Sequence, residues 1–181
     1  MPEQTNGRST SVWMATAEVP HYEPLQQDAQ ADACVIGAGI AGLTTAYLLA
    51  REGRRVIVID AIGVGAGETG RTTAHFFPPD EWYAGVERMF GELGAQQVAD
   101  SYATATAMVE AIARIEHIDC EFERLDGYLF ARPENGFRDL QAEYEAALRA
   151  GVQADLLERV PGLPFDTGQC VRYARQAQFH P

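Results

Sequence analysis

Residues 33–60 read ACVIGAGIAGLTTAYLLAREGRRVIVID, and this stretch decides the fold. Its apolar run at Ala33–Ile36 is typical of a strand that is buried on both faces of a parallel sheet. A helix rich in leucine and alanine is predicted over residues 43–51, and Val56–Ile59 is a second apolar strand. The order strand, helix, strand predicts a βαβ unit, the smallest piece of a parallel sheet.

The turn between the first strand and the helix carries a G-x-G-x-x-G motif. Gly37 allows the tight turn, Gly39 lets a pyrophosphate approach the backbone, and Gly42 lets the helix pack closely on the sheet. The N–H groups of Ile40 and Ala41 open the helix, where an anion is favoured. The motif therefore indicates dinucleotide binding; the alternative for such a motif alone is an ordinary tight turn.

A carboxylate follows the second strand directly. Asp60 lies at about the distance from the motif, roughly 20 residues, at which an acid accepts hydrogen bonds from the adenosine ribose. The same charge would repel a 2′-phosphate, which disfavours the phosphorylated nicotinamide cofactor. Because a strand, a helix and an acid all occur in the expected places, the motif is read as a dinucleotide site.

A second glycine-rich stretch, G-V-G-A-G-E-T-G at residues 63–70, is predicted to be a loop at the carboxyl end of the second strand. Ligands in such sheets bind at the carboxyl ends of the strands. The hydroxyls of Thr69, Thr72 and Thr73 and the cation of Arg71 could therefore serve a pyrophosphate or a larger cofactor. The alternative is a solvated turn with a surface arginine.

Three segments are predicted along the chain. Residues 1–31 form a polar, flexible arm, although Val12 and Trp13 could anchor part of it. Residues 32–80 form the dinucleotide-binding unit, and residues 81–181 contribute helices and the first strands of a second domain.

The second domain is predicted from its periodicity. A short helix covers residues 80–90, and two short strands meet near Asp126 and Gly127. A long helix is predicted with an apolar face formed by Val98, Tyr102, Ala105, Val109 and Ile112. A further helix is predicted with a face formed by Phe137, Leu140, Tyr144 and Leu148. A short strand is predicted over residues 170–173.

The composition excludes several classes of function. The formal net charge is −12, which repels phosphate backbones and anionic membranes, so nucleic-acid binding is not expected. No apolar run reaches the ~20 residues of a membrane span, and no secretory signal is recognised. The three cysteines form no C-x-x-C pair, which predicts a reduced, cytoplasmic compartment and no metal site, with Cys34 as a buried small hydrophobe.

No catalytic residue is assigned from the sequence. His75 could assist proton transfer or order a loop, and Tyr128 is read as a core residue. Arg172 and Arg175 could clamp a substrate carboxylate, but the surface interpretation is favoured.

The runs ADACVIGAGIAGLTTAYLLA (residues 31–50), RVIVID (55–60), GAGETGRTTAH (65–75) and ERLDGYLF (123–130) resemble the D-amino-acid oxidase, glycine oxidase and sarcosine oxidase superfamily. The opening TSVWMATA (residues 10–17) resembles a subgroup whose members carry a C-terminal Rieske domain. The fold implied is α/β: an incomplete Rossmann-like FAD-binding domain with a parallel sheet, followed by the start of an α+β substrate domain.

The resemblance implies FAD as cofactor and an amine or amino acid as substrate, whose C–N bond is oxidised by hydride transfer to the flavin. It implies that Gly37, Gly39, Ile40 and Ala41 hold the pyrophosphate and that Asp60 holds the ribose. The residues Thr69, Arg71, Thr72 and Thr73 would extend along the pyrophosphate toward the flavin ring.

Superfamily members are roughly twice as long, so a C-terminal half is expected to be missing, and the Rieske ligand motifs do not occur. Two alternatives therefore stay open. One is a catalytically silent dinucleotide-binding fragment that needs a partner chain. The other, less favoured, is a nicotinamide-dependent dehydrogenase.

Overall fold

The computed structural model describes residues 10–79, 82–131 and 139–181. These residues form two compact units, one up to Thr73 and one from Ala74 to His180. The elements in chain order are α1 (Val12–Thr16), β1 (Ala33–Ile36), α2 (Ile40–Arg51), β2 (Val56–Ile59), the 3₁₀ helix η1 (Glu68–Arg71), β3 (His75–Phe76), α3 (Trp82–Ile115), β4 (Glu123–Phe130), α4 (Leu140–Arg149), β5 (Ala154–Leu157) and β6 (Cys170–Gln178). None of the helices in these ranges is long and apolar enough to cross a membrane.

The first unit contains the βαβ arrangement that the sequence predicts. Strands β1 and β2 are parallel, with Ala33 opposite Val56 and Ile36 opposite Ile59. Helix α2 begins at Ile40, earlier than predicted, because Gly39 at its N-cap connects the strand to the helix almost without a loop. Parallel pairing with a helical crossover is therefore confirmed.

One face of this two-stranded sheet is uncovered, which corrects the prediction of a strand buried on both faces. Ile36 is 83% exposed and Ile59 is 38% exposed. Cys34, predicted to be buried, is an exposed free thiol. The side chains of β1 alternate between the two faces, and α2 covers only the face that Val35 occupies, where Gly42 approaches it.

The second unit is built around β6, the central strand of an antiparallel sheet. Strand β4 pairs along one edge of β6, whereas β5 and β3 pair with the two ends of the other edge. Strand β6 continues to Gln178, well beyond the predicted residues 170–173, and the short strands β3 and β5 were not predicted. Short strands of this kind carry little periodicity, and their pairing partner is distant in sequence.

The prediction of two strands meeting near Asp126 and Gly127 is wrong: β4 is one strand with a register shift between Leu125 and Gly127. A Cβ at Gly127 would lie 2.2 Å from Cε2 of Phe77. The glycine is therefore required for the close approach of an aromatic ring, and the Asp-Gly pair forms a bulge instead of a turn.

Helix α3 is interrupted at Gly91, where φ is 73° and ψ is 174°, so a short helical segment precedes a long one, as predicted. Its buried face differs from the predicted stripe: Ala95, Ala99, Thr106 and Ala113 are buried, whereas Tyr102 is 42% exposed. Small residues on this face allow the helix to approach the core closely.

Helix α4 matches the predicted helix apart from Phe137, which lies outside the described residues. It carries the buried Glu143, which is only 4% exposed. The carboxylate accepts hydrogen bonds from the N–H groups of Tyr83 (3.0 Å) and Ala84 (2.8 Å) and from the hydroxyl of Tyr173 (2.7 Å). Glu143 thus caps the start of α3 and connects both helices to β6.

Candidate cofactor site

The G-x-G-x-x-G turn adopts the geometry that its glycines require. Gly37 has a positive φ of 104°, and its N–H donates to the carbonyl of Ile59 at 2.8 Å. A Cβ at Gly42 would lie 1.9 Å from the carbonyl oxygen of Gly37, so only glycine permits the helix to start this close to the strand.

The structure brings the two glycine-rich segments together at the start of α2. The Ile40 N–H donates to Oγ1 of Thr69 at 2.9 Å. A Cβ at Gly39 would lie 3.1 Å from the same oxygen, closer than ordinary van der Waals contact. The Thr69 hydroxyl therefore lies at the helix N-terminus, where the helix dipole favours an anion.

The Asp60 carboxylate directly follows β2 and also holds the glycine turn through hydrogen bonds. It accepts hydrogen bonds from the N–H groups of Ala38 (2.8 Å), Ile62 (2.8 Å) and Gly63 (2.9 Å). The hydrogen bond from Ala38, followed by those from Gly63 and Ile62, lowers the pKa of Asp60 below 3.8. The carboxylate is thus kept ionised and exposed, and sequence reasoning missed its contact with the G-x-G-x-x-G turn.

The second glycine-rich stretch, predicted to be a loop, ends in the 3₁₀ helix η1. The Gly65 N–H donates to the carbonyl of Ala38 at 2.9 Å, and the Gly70 N–H donates to the carbonyl of Gly65 at 3.0 Å. These bonds close the stretch into a compact turn beside the first motif. Thr72 follows η1 in an extended conformation, and Thr72 and Thr73 are both exposed.

Arg71 lies in this turn and is partly buried, whereas the alternative interpretation of the sequence was a surface arginine. Its Nη1 donates to the carbonyl oxygens of Ala66 (2.8 Å) and Gly67 (3.4 Å). Its Nε and Nη2 are buried, and among the described residues neither has a hydrogen-bond partner. A buried guanidinium with unpartnered donors is costly, about 1–3 kcal/mol or more, unless an acceptor is supplied.

The N-terminal segment contacts the same turn, as the prediction for Trp13 allowed. The Ser11 hydroxyl donates to the carbonyl of Gly70, and Nε1 of Trp13 donates to the carbonyl of Thr72 at 2.9 Å. Val12 does not anchor the segment, because it is 59% exposed. Ser11 was missed, although a serine before a short helix is an N-cap signal.

The remaining candidate residues lie in the second unit. His75 is exposed in β3, where it pairs with Gln178. Arg172 forms ion pairs with Asp126 (3.1 Å) and Asp155 (3.4 Å), and Arg175 is an exposed residue beside a cavity of about 380 Å³. Tyr128 is partly buried in β4.

The βαβ unit, its glycine turn and the acid after β2 define a Rossmann-like, dinucleotide-binding class of fold. Residues 32–181 match the family model described as DAO, FAD dependent oxidoreductase. The chain belongs to this family, whose cofactor is FAD, and the resemblance, fold class and cofactor predicted from the sequence are confirmed.

The chain is also similar to individual proteins. It is 34% identical over 170 residues to the "Putative Rieske 2Fe-2S iron-sulfur protein YhfW" of Bacillus subtilis, covering 93% of this chain and 33% of that protein. This similarity agrees with the predicted Rieske subgroup. A 43-residue stretch is 49% identical to the "Probable oxidoreductase OrdL" of Haemophilus influenzae, covering 24% of this chain and 10% of that protein.

Two solved structures share the fold. L-amino acid deaminase from Proteus vulgaris aligns with a TM-score of 0.63 at 17% identity, covering 90% of this chain and 37% of the enzyme. Glycine oxidase from Bacillus cereus aligns with a TM-score of 0.57 at 15% identity, covering 83% of this chain and 40% of the enzyme. The chain thus spans between a third and two fifths of YhfW and of these two enzymes.

Proposed function

We propose that this chain holds the pyrophosphate and adenosine of FAD and is the N-terminal part of an oxidoreductase that acts on an amine or amino acid. The observation that carries the proposal is the Arg71 guanidinium, whose Nε and Nη2 are buried without a hydrogen-bond partner among the described residues. The oxygens of a dianionic pyrophosphate fit such donors, because a guanidinium binds phosphate groups through parallel, charge-assisted hydrogen bonds.

The surrounding turn fits the same group. Gly37 and Gly39 carry no side chain that would keep phosphate oxygens from the start of α2, and Gly42 lets the helix pack against the Gly37 carbonyl. The Ile40 N–H and the Thr69 hydroxyl lie together there, and Thr69 can rotate to donate to a phosphate oxygen. The Ala41 N–H belongs to the same first turn of the helix.

Three further residues belong to the proposed site: Asp60 for the ribose, and Thr72 and Thr73 toward the flavin ring. Asp60 has an exposed, ionised carboxylate with lone pairs left for ribose hydroxyls beyond its three backbone bonds. Thr72 and Thr73 continue from η1 and would line the path toward the flavin ring. In this arrangement the chain's own residues bind and orient the cofactor.

The substrate class is proposed from the similar enzymes, which are an amino acid deaminase and a glycine oxidase. When bound, FAD would supply the acceptor for the hydride that leaves the carbon next to nitrogen. The described residues of this chain provide cofactor binding; no catalytic residue is assigned.

The proposal is tested by incubating the purified chain with FAD, desalting it and recording its visible absorption spectrum. Retained flavin bands support the proposal, and a colourless protein contradicts it. Gly39→Val should abolish retention, because its methyl groups would displace the Thr69 hydroxyl and occupy the phosphate position. Unchanged affinity in Gly39→Val would remove the motif from the site.

Arg71→Gln gives a sharper test, with Arg54→Gln as the control for a lost exposed cation in the same unit. We expect about tenfold or greater loss of FAD affinity in Arg71→Gln, the size of one charge-assisted hydrogen bond, and none in the control. Stability without FAD should change by less than about 1 kcal/mol, because loss of the Nη1 bonds is offset by removal of buried unpartnered donors.

The uncovered sheet face favours a second candidate, a catalytically silent fragment that needs a partner chain. Ile36 is 83% exposed, although parallel sheets are ordinarily covered on both faces. A chain that retains FAD but shows no bleaching of the flavin bands with any amine or amino acid under anaerobic conditions would support this candidate. Bleaching would support the complete enzyme function.

A further inference from the structure

The short helix α1 is attached to the proposed cofactor turn by two long-range hydrogen bonds. The Ser11 hydroxyl donates to the carbonyl of Gly70, and Nε1 of Trp13 donates to the carbonyl of Thr72 at 2.9 Å. The Ser11 hydroxyl also accepts a hydrogen bond from the Met14 N–H at 3.2 Å, which caps α1. The Ser11 side chain therefore both caps α1 and connects the helix to the turn at Gly70.

The contact is closely packed at Gly70. A Cβ at this position would lie 3.3 Å from Cγ of Met14 and 2.6 Å from the carbonyl oxygen of Gly65. Gly70 is buried between the Met14 side chain and the backbone of its own turn. The fit of α1 against the turn therefore depends on the absence of a side chain at Gly70.

The attachment is local to this helix. Residues 17–30, which connect α1 to the βαβ unit, are exposed throughout and form neither helix nor strand. An irregular, exposed connection contributes little to holding α1 in place, because it buries little apolar surface. The bonds from Ser11 and Trp13 and the packing of Met14 are thus contacts through which the described residues position the helix.

The two bonded carbonyls flank Arg71. The Gly70 carbonyl belongs to the peptide that precedes Arg71, whose guanidinium has unpartnered donors, and the Thr72 carbonyl belongs to the peptide that follows Thr72. Fixing these two peptides restricts the backbone of residues 70–73 and so limits where the Arg71 guanidinium can point. Binding is stronger when such ordering is complete before the ligand arrives.

We infer that residues 11–16 act as a clamp that pre-organises the Arg71 turn for FAD, with Ser11 and Trp13 as positioning residues. The inference rests on the proposed FAD-binding function. It assigns the N-terminal segment a part in cofactor retention, whereas the sequence predicts a flexible arm there.

The test compares Trp13→Phe and Ser11→Ala with Val12→Ala. Trp13→Phe keeps an aromatic ring and removes the Nε1 donor, and Val12, which is 59% exposed, provides a control in the same helix. Without FAD, amide hydrogen exchange of residues 65–72 should accelerate in the first two variants and stay unchanged in Val12→Ala. The Gly70 N–H, bonded to the Gly65 carbonyl at 3.0 Å, is the amide to follow.

FAD dissociation constants and unfolding midpoints are then measured for the same proteins. We expect FAD to bind about fivefold more weakly in each clamp variant, the size of one lost hydrogen bond, with the unfolding midpoint of the βαβ unit unchanged. A parallel fall in the midpoint and the affinity would indicate a merely structural role and overturn the inference.

The outcomes separate the clamp from the proposed function. Unchanged exchange at residues 65–72 overturns the clamp whether or not FAD binds. Faster exchange with unchanged FAD affinity overturns the link between the clamp and the cofactor. If the wild-type chain does not bind FAD at all, the proposed function fails, and the role of the clamp in cofactor binding fails with it.

Discussion

At the scale of single residues, Asp60 should make stability depend on pH. Its pKa in the folded protein is lowered by hydrogen bonds from the N–H groups of Ala38, Gly63 and Ile62, in that order of size. A lowered folded pKa gives stability that is complete above the ordinary carboxyl pKa, near 4, and is lost as the pH falls through the folded value.

The matched variant is Asp60→Asn, which keeps one acceptor oxygen and loses the charge. We expect it to be less stable than the wild type at pH 7, by about 1 kcal/mol as for a lost helix cap, and the difference to shrink below pH 4. Urea unfolding followed by circular dichroism at pH 7 and pH 3 measures this. A difference that is independent of pH would mean that the charge of Asp60 has no part in holding the turn.

Individual residues of the site differ in how far they could be predicted. The roles of Gly37 and Gly42 follow from turn chemistry, and the structure shows the positive φ of Gly37 and the close approach of Gly42 to the Gly37 carbonyl. The burial of Arg71 and the bond between Asp60 and Ala38 depend on two segments folding against each other, which local sequence does not encode. Periodicity and motif spacing carry no signal for such contacts.

At the scale of elements, the carboxylate of Glu143 joins α3, α4 and β6. It accepts hydrogen bonds from the N–H groups of Tyr83 and Ala84 and from the Tyr173 hydroxyl. Burial and the neighbouring charge of Glu143 raise the pKa of Tyr83 to about 12. The Glu143 carboxylate provides the acceptors for two N–H groups in the first turn of α3, which have no acceptor within the helix.

Glu143→Gln should therefore destabilise the second unit by about 2–3 kcal/mol. The new amide group would place a donor against N–H and hydroxyl donors in a buried site, leaving one of them unsatisfied. Glu145→Gln, at an exposed position on the same helix, is the control and should change stability by less than about 0.5 kcal/mol. Equal stability of the two variants, measured by urea unfolding, would contradict the capping role.

The predictable elements are those with strong local patterns. The βαβ unit and α4 follow from continuous apolar runs and helical periodicity. Strands β3 and β5 form by hydrogen bonding to one edge of β6, and their own residues carry no local signal for this pairing. The bulge in β4 lies where the Phe77 ring packs against Gly127. The buried stripe of α3 consists of small residues beside the predicted stripe, whose members Val98, Val109 and Ile112 are only partly buried.

At the scale of the whole molecule, the three cysteines differ in solvent exposure between the two units. Cys34 is exposed on the open sheet face, whereas Cys120 is 9% exposed and Cys170 is fully buried. Burial also raises the pKa of the Cys170 thiol, which lowers its thiolate fraction. The two units should therefore differ sharply in thiol reactivity.

We expect one thiol of the native chain to react rapidly with a disulfide reagent such as Ellman's, and the other two to react only on unfolding. Cys34→Ser should remove the rapid phase and leave the slow ones. A second rapid thiol would contradict the burial of Cys120 or of Cys170. If the Cys34 thiol reacts slowly in the native chain and reacts rapidly after dilution, self-association covers its sheet face. If it reacts slowly at every protein concentration, this face is not exposed as the structure shows. Because parallel sheets are ordinarily covered on both faces, a polypeptide that packs on this face should slow the rapid phase selectively.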